Sequence, residues 1–197
     1  MRNRLLFAVW ALGVAVAIFF ASAPQHADAA PTRVQAASIV DEPPRAVNLA
    51  DGDGGVVMIP VAGIAASQLR DTFIEARTGH LHGAIDILAP RGTPVVAAVD
   101  GRIRKLFTSR AGGLTIYESD ADEGRMFYYA HLDRYADGVA EGNVVARGTV
   151  IGYVGTTGNA PVNTPHLHFA ILLLPPTKEW WKGTAIDPYP ILVRGRL

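Results

Sequence analysis

His82-Gly83-Ala84-Ile85-Asp86-Ile87-Leu88 and, more than eighty residues later, His166-Leu167-His168-Phe169 are the stretches whose reading decides the fold. Polar and apolar residues alternate in both, as on a strand with one polar and one buried face, because strand side chains return to the same side every second residue. On that period His82, Ala84 and Asp86 share one face and His166 and His168 share another. Ile85, Ile87, Leu167 and Phe169 then point the opposite way, into apolar packing. Two such strands lying side by side bring several imidazoles and one carboxylate to a common point.

Nitrogen and oxygen donors of that kind suit zinc, whose catalytic sites take three protein ligands and leave a fourth position to water. Ala84 is small enough to lie between two ligands without filling the metal's place. His166 and His168 are both candidates, and His131 ends the run Met126-Phe127-Tyr128-Tyr129-Ala130-His131. Three ligands with two spare histidines match a metal-dependent hydrolase that also needs a base and an oxyanion partner. His80 lies two residues before His82 and could pair with it. Asp86 is the better partner for His82, since a carboxylate partly neutralises a dication, and His80 is expected at the rim of the cleft.

Composition narrows the class. The chain has 197 residues with 18 basic and 18 acidic side chains, so it lacks the basic excess of a nucleic-acid binder. Cysteine is absent, which rules out disulfides, thiolate metal sites and a cysteine lipid anchor. Arg2 and Arg4 precede the almost wholly apolar residues 5–23, and Ala27-Asp28-Ala29 is a small-x-small cleavage pattern. Residues 1–29 are therefore expected to be an export signal, with an uncleaved membrane anchor as the competing reading, since about 18 apolar residues can span a bilayer. Either way the remainder is expected outside the cytoplasmic membrane, in the periplasm or cell envelope. Residues 30–55, rich in alanine and proline and ending in Asp51-Gly52-Asp53-Gly54-Gly55, read as a flexible linker.

From Val56 onward short apolar runs alternate with glycine and proline turns, the pattern of an all-β domain over residues 56–197. Strands are expected near 56–60, 81–88, 94–98, 101–107, 114–118, 126–131, 144–146, 150–154 and 167–173, with a short helical or irregular piece over 66–76 capped by Ser67. Residues 119–124 read as a polar hairpin tip with solvated acids, and Asp187-Pro188 as a terminal turn. The segment 141–152 looks like a hairpin of biotinyl and lipoyl carrier domains. No acceptor lysine lies between Lys105 and Lys178, which removes that function and leaves only the architecture. Of Trp180 and Trp181, one is expected in the core and one at the surface. Strand packing accounts for both Tyr128 and Tyr129, the alternative being that one faces the cleft and orients a carbonyl, and Arg77 is expected in surface pairing or loop ordering.

His82-x-x-x-Asp86, the Tyr-Ala-His131-Leu run, Gly155-Thr-Thr-Gly158-Asn159 and His166-Leu-His168-Phe together resemble the lysostaphin/LytM-type zinc metalloendopeptidases, which cut the peptides of bacterial peptidoglycan. The resemblance runs from about Ile59 to Leu192. It implies a mainly antiparallel half-barrel of the duplicated hybrid type, one zinc held by His82, Asp86 and His168, and His131 and His166 as catalytic histidines. It also implies peptidoglycan stem peptides as the partner. The rival within the same resemblance is a non-catalytic regulator that binds the wall or activates another wall hydrolase. Backbone carbonyls, or nearby hydroxyls such as that of Thr164, are the expected partners of the ligand imidazoles.

Overall fold

The computed structural model describes residues 55–77 and 79–197, so the expected signal and all but the last residue of the expected linker lie outside the described residues. Eleven strands and one helix follow in chain order: β1 (Ala76–Arg77), β2 (His80–Leu81), β3 (Ile85–Leu88), β4 (Pro94–Val96), β5 (Gly101–Ser109), β6 (Gly113–Asp120), β7 (Arg125–Tyr135), β8 (Val144–Val145), β9 (Val150–Val154), β10 (His166–Leu173), β11 (Thr184–Ile186) and α1 (Pro188–Arg194). All pairings between them are antiparallel, and β1 and β2 form a separate small hairpin. The all-β, mainly antiparallel class expected from the sequence is what the chain adopts. Among the described residues no helix is long and apolar enough to cross a membrane.

The backbone of the sheet is the order β11-β10-β7-β6-β5-β8. Two strands in it have divided edges. Along β10, the first half pairs with β3, with His168 opposite Asp86, and the second half pairs with β11. Along β7, residues up to Ala130 pair with β10, whereas Leu132 to Tyr135 pair with β9. The split falls at His131, which has φ of 62°. Register against β6 slips there from Leu114↔Leu132 to Ile116↔Tyr129, so β7 carries one extra residue, a bulge that bends the strand.

Alternation sorts the faces. Ile85 and Ile87 of β3, Phe127 and Tyr129 of β7, and Leu167, Phe169 and Ile171 of β10 are all essentially buried in one core with Val95, Ile103, Ile116 and Val154. Phe169 packs on both Phe127 and Tyr129, with ring centroids 6.4 and 5.3 Å apart. Each large apolar side chain buried this way is worth roughly 1.5–3 kcal/mol, so this face holds the sheet together without help from the polar one.

Several expectations change. Residues 81–88 are not one strand: β2 ends at Leu81, Gly83 turns the chain with φ of 66°, and β3 begins at Ile85. His82 and Asp86 therefore do not share a strand face, and fully buried Ala84 is a packing residue outside any strand. The 56–60 segment makes no strand, only isolated bridges of Val56 to Arg196 and Val61 to Val95. Segment 141–152 is not a hairpin, because β8 pairs with β5 while β9 pairs with β4 and β7. The piece near 66–76 reduces to a 3-10 turn, Ala66–Gln68, whose N-cap is Ala65 and not Ser67. Asp187-Pro188 opens α1: Asp187 accepts from the Tyr189 amide, Pro188 takes the first turn, and Gly195 closes the helix in the left-handed region. Asp120 at the hairpin tip is buried, accepting from the Gly124 and Arg125 amides and pairing with the Arg125 guanidinium at 3.2 Å.

The core also encloses an acid. Glu118 is fully buried, accepts the Tyr129 hydroxyl through Oε2, and has no partner for Oε1. Burial pushes its carboxyl up to about 8, offset in part by the Tyr129 hydroxyl and the Ala98 amide and reinforced by Asp100 and Asp120. A raised acid favours the fold while protonated. Between the unfolded value of 4.5 and about 8 the unfolded chain binds fewer protons than the fold, so stability falls as pH rises through that window. Glu118→Gln is expected to remove that term, worth up to about 1.4 kcal/mol per pH unit for one proton. His131 titrates with the opposite sign, so the readout is the difference between the two unfolding curves, followed by urea melts from pH 4.5 to 8. A difference that stays flat with pH would show that Glu118 ionises freely in the fold.

The turn after β9 gives a second expectation. Gly158 has φ of 76°, and a Cβ there would overlap the Ala111 carbonyl and the Gly113 amide. Gly158→Ala is therefore expected to lower stability by about 1–3 kcal/mol from overpacking, read from the denaturant midpoint.

Candidate metal centre and cleft

Three donor atoms converge where β3 meets β10. His82 Nε2 lies 3.1 Å from Asp86 Oδ1, His168 Nδ1 lies 3.2 Å from the same oxygen, and the two ring nitrogens are 3.0 Å apart. Donors at about 2.0–2.1 Å from a tetrahedral zinc are separated by about 3.3 Å, close to the 3.0–3.2 Å edges of this near-equilateral triangle. His82, Asp86 and His168 thus form a group that can hold a metal.

Local structure explains how they meet. Asp86 and His168 face each other across the β3–β10 ladder as directly paired residues. His82 reaches them from outside β3 by way of the Gly83 turn, and Thr72 fixes it there. The Thr72 carbonyl accepts from His82 Nδ1 at 3.0 Å, which leaves Nε2 as the donor nitrogen. The Thr72 hydroxyl accepts from the Asp86 amide at 3.2 Å, so one residue anchors both.

The other two histidines lie beside the triangle. His131 and His166 have ring centroids 5.0 Å apart, and His131 and His168 are 5.6 Å apart. His166 Nε2 is 3.7 Å from Asp86 Oδ1, farther than either nitrogen of the triangle. Each has its Nδ1 on a backbone carbonyl, His131 on Thr157 and His166 on Thr164, both at 2.8 Å. Thr164 therefore acts through its carbonyl, on His166, and not through a hydroxyl on a member of the triangle.

His131 is held in an uncommon conformation from several sides. Its amide donates to the Gly112 carbonyl at 2.8 Å. Thr157, besides taking Nδ1, donates its hydroxyl to the Leu132 carbonyl and accepts the Leu114 amide. A histidine at positive φ persists only where its surroundings over-determine it, and here Thr157 pins the next residue, Leu132, together with Leu114, its partner across the ladder on β6.

Electrostatics follow from burial. Burial alone would raise Asp86, but hydrogen bonds and charge from His168 and His82 outweigh it and hold the carboxyl well below the usual carboxylate range. Burial pushes His131 down to about 4; the Thr157 carbonyl opposes this, and His168 and His166 add to it. His131 is therefore uncharged at neutral pH, with one nitrogen free to accept a proton. Burial likewise lowers His168.

These groups line an open cleft of about 630 Å³ whose walls include Arg77, His80, Tyr128 and Asn159. His80 stands at the rim, as expected. Tyr128 faces the cleft while Tyr129 enters the core. Neither Trp180 nor Trp181 is in the core: Trp180 packs half-buried on Tyr117 at 4.9 Å and Trp181 is exposed. Thr72, Thr157 and Arg77 were not assigned to the site from the sequence. The tight Gly158 turn was the available signal for Thr157, and the two-residue β1 offered none for Arg77.

The chain is similar in sequence and in fold to several known peptidases. An L-Ala–D-Glu endopeptidase of Bacillus subtilis is 35% identical over 117 residues, covering 57% of this chain and 34% of its own. The peptidoglycan DD-endopeptidase ShyC of Vibrio cholerae is 36% identical over 92 residues, 47% of this chain and 20% of its own. The chain thus spans about a third or less of the length of the curated relatives it matches. The antimicrobial peptidase lysostaphin of Staphylococcus simulans superposes with a TM-score of 0.55 at 29% identity over 65% of this chain and 50% of its own. Its catalytic domain alone gives 0.50 at 30% identity, over 72% of this chain and 90% of that domain. Residues 80–188, which contain every histidine and the aspartate of the cleft, match peptidase family M23, and the chain belongs to that family.

Proposed function

We propose that this chain is a zinc-dependent endopeptidase that hydrolyses peptide cross-links of bacterial peptidoglycan, with one zinc held by His82 Nε2, Asp86 Oδ1 and His168 Nδ1, and with His131 and His166 as its catalytic histidines. The observation that carries the reading is the donor triangle with 3.0–3.2 Å edges beside two further imidazoles already oriented by backbone carbonyls. Peptidoglycan as substrate is supported by the names of the Bacillus and Vibrio relatives. A wall substrate requires export, for which the apolar residues 5–23 and Ala27-Asp28-Ala29 provide.

Zinc bound in the triangle would polarise the scissile carbonyl and lower the pKa of water towards neutrality. The chain's own groups do the rest. Because Nδ1 of His131 and of His166 is committed to a carbonyl, Nε2 of each is the nitrogen left for the reaction. One takes the proton of the attacking water and passes it to the leaving amine. The other, in its protonated form, donates from Nε2 to the oxyanion that develops on the carbonyl oxygen. Ala111, Gly112 and Ala130 also line the cleft, small residues that let a peptide backbone approach.

Purified protein is expected to contain zinc and to release peptides from isolated peptidoglycan in a chelator-sensitive way, read by mass. His82→Ala and Asp86→Ala are expected to lose metal and activity together. His131→Ala is expected to keep its zinc while turnover falls about 10²–10⁴-fold, the usual share of a general acid or base. Full hydrolysis by a folded His131→Ala protein would remove that histidine from the reaction. Zinc content without peptide release from any wall type would favour the regulator reading.

A further inference from the structure

The two oxygens of Asp86 keep different company. Oδ1 faces His82, His168 and, at 3.7 Å, His166. Oδ2 accepts from Arg77 Nη2 at 3.0 Å. Arg77 ends β1, and its Nη2 also lies 3.3 Å from Glu75 Oε2. The three residues form a line, Glu75 to Arg77 to Asp86, that runs from the exposed β1–β2 hairpin into the metal triangle.

We propose that Arg77 is a positioning residue for the metal: by holding Oδ2 it presents Oδ1 alone to the ion, between His82 and His168, while Glu75 keeps the guanidinium from swinging into the cleft. This rests on the reading of the triangle as a zinc site. A carboxylate with both oxygens free can turn or chelate through both; one with Oδ2 anchored has a single donor in a single direction. Partners of this kind around a metal are worth about 10–100-fold in affinity. As a contribution to the fold, the same ion pair is worth little, because the Arg77 side chain is 40% exposed and water screens it. The two roles therefore separate by magnitude: a metal-positioning arginine changes metal affinity and leaves the metal-free fold alone, whereas a plain surface pair changes neither.

The test uses the full chain as wild type, Arg77→Gln, Arg77→Lys and Glu75→Gln. Zinc affinity is measured by competition with a chromogenic chelator, the visible spectrum is taken with Co²⁺ in place of zinc, and the metal-free protein is unfolded in urea. Arg77→Gln is expected to bind zinc about 10–100-fold more weakly with an altered Co²⁺ spectrum, and to unfold at the wild-type midpoint. Arg77→Lys, which keeps the charge without the planar fork, should recover part of the affinity, and Glu75→Gln should lose less than Arg77→Gln. Wild-type affinity and spectrum in both Arg77 variants overturn the proposal, as does a weakened affinity in Arg77→Gln matched by an equally weakened metal-free fold and cured by lysine. Failure of wild type itself to take up zinc would overturn the metal-site reading and this proposal with it.

Discussion

The site depends on one bend. Strand β7 is long enough to serve two partners, and its backbone turns at His131 so that β10 can leave and β9 can take over. The fork opened there is where the cleft lies, with His166 and His168 at the start of β10 on one side and the Gly155 to Asn159 turn on the other. Positive φ at a residue with a side chain is costly, of order 1–3 kcal/mol, and the chain meets that cost with the Gly112 carbonyl, the Thr157 carbonyl and hydroxyl, and the flanking ladders. Gly158 must be glycine for the same reason, since the loop carrying Thr157 has to press against residues 111–113 to reach His131.

The four imidazoles around Asp86 divide three to one by how their nitrogens are committed. His131 and His166 each give Nδ1 to a threonine carbonyl and keep Nε2. His82 does the same towards Thr72, whereas His168 turns Nδ1 itself into the triangle, across from Asp86. This difference, and not distance along the chain, distinguishes His168 from His166 although both stand on one face of β10. Backbone carbonyls are rigid acceptors carried by the fold, so the imidazoles are oriented before any ligand arrives, the condition for electrostatic preorganisation.

Much of this was legible where the chemistry is local. The alternation in His166-Leu167-His168-Phe169 is a true strand alternation, and pairing it with the one around Asp86 puts His168 opposite that carboxylate. The reading of His82 reached the right neighbours by a wrong route. It assumed an unbroken strand, whereas Gly83 at positive φ redirects the chain, and a glycine flanked by apolar alternation does not announce its own dihedral. The pairing of β8 with β5 and of β9 with β4 and β7 is set by contacts across the sheet, so a local reading made a hairpin of them. The cap of α1 was in the sequence as Asp187, Pro188 and Gly195, the helix between them being too short to show a period. The bend at His131 left no mark at all, because its causes, Gly112 and Thr157, are distant in sequence.

Alternation along β7 also keeps stability and chemistry apart. Tyr129 points into the core, where it meets Phe169 and Glu118, while Tyr128 points to the cleft and Ala130 leaves room there. The apolar cluster is complete without the donor triangle, since Asp86 and His168 stand on the opposite face from Ile85, Ile87, Leu167 and Phe169, and His82 lies outside the strands. A chain without cysteine has no disulfide to fall back on, so its fold must rest on that cluster. The cleft is then free to hold groups that would be poor choices for stability: a carboxylate shared by three imidazoles, an arginine paired with that carboxylate, and a histidine in the left-handed region. Asp86, His131 and His168 are each anchored to backbone of the central ladders, which the core holds in position.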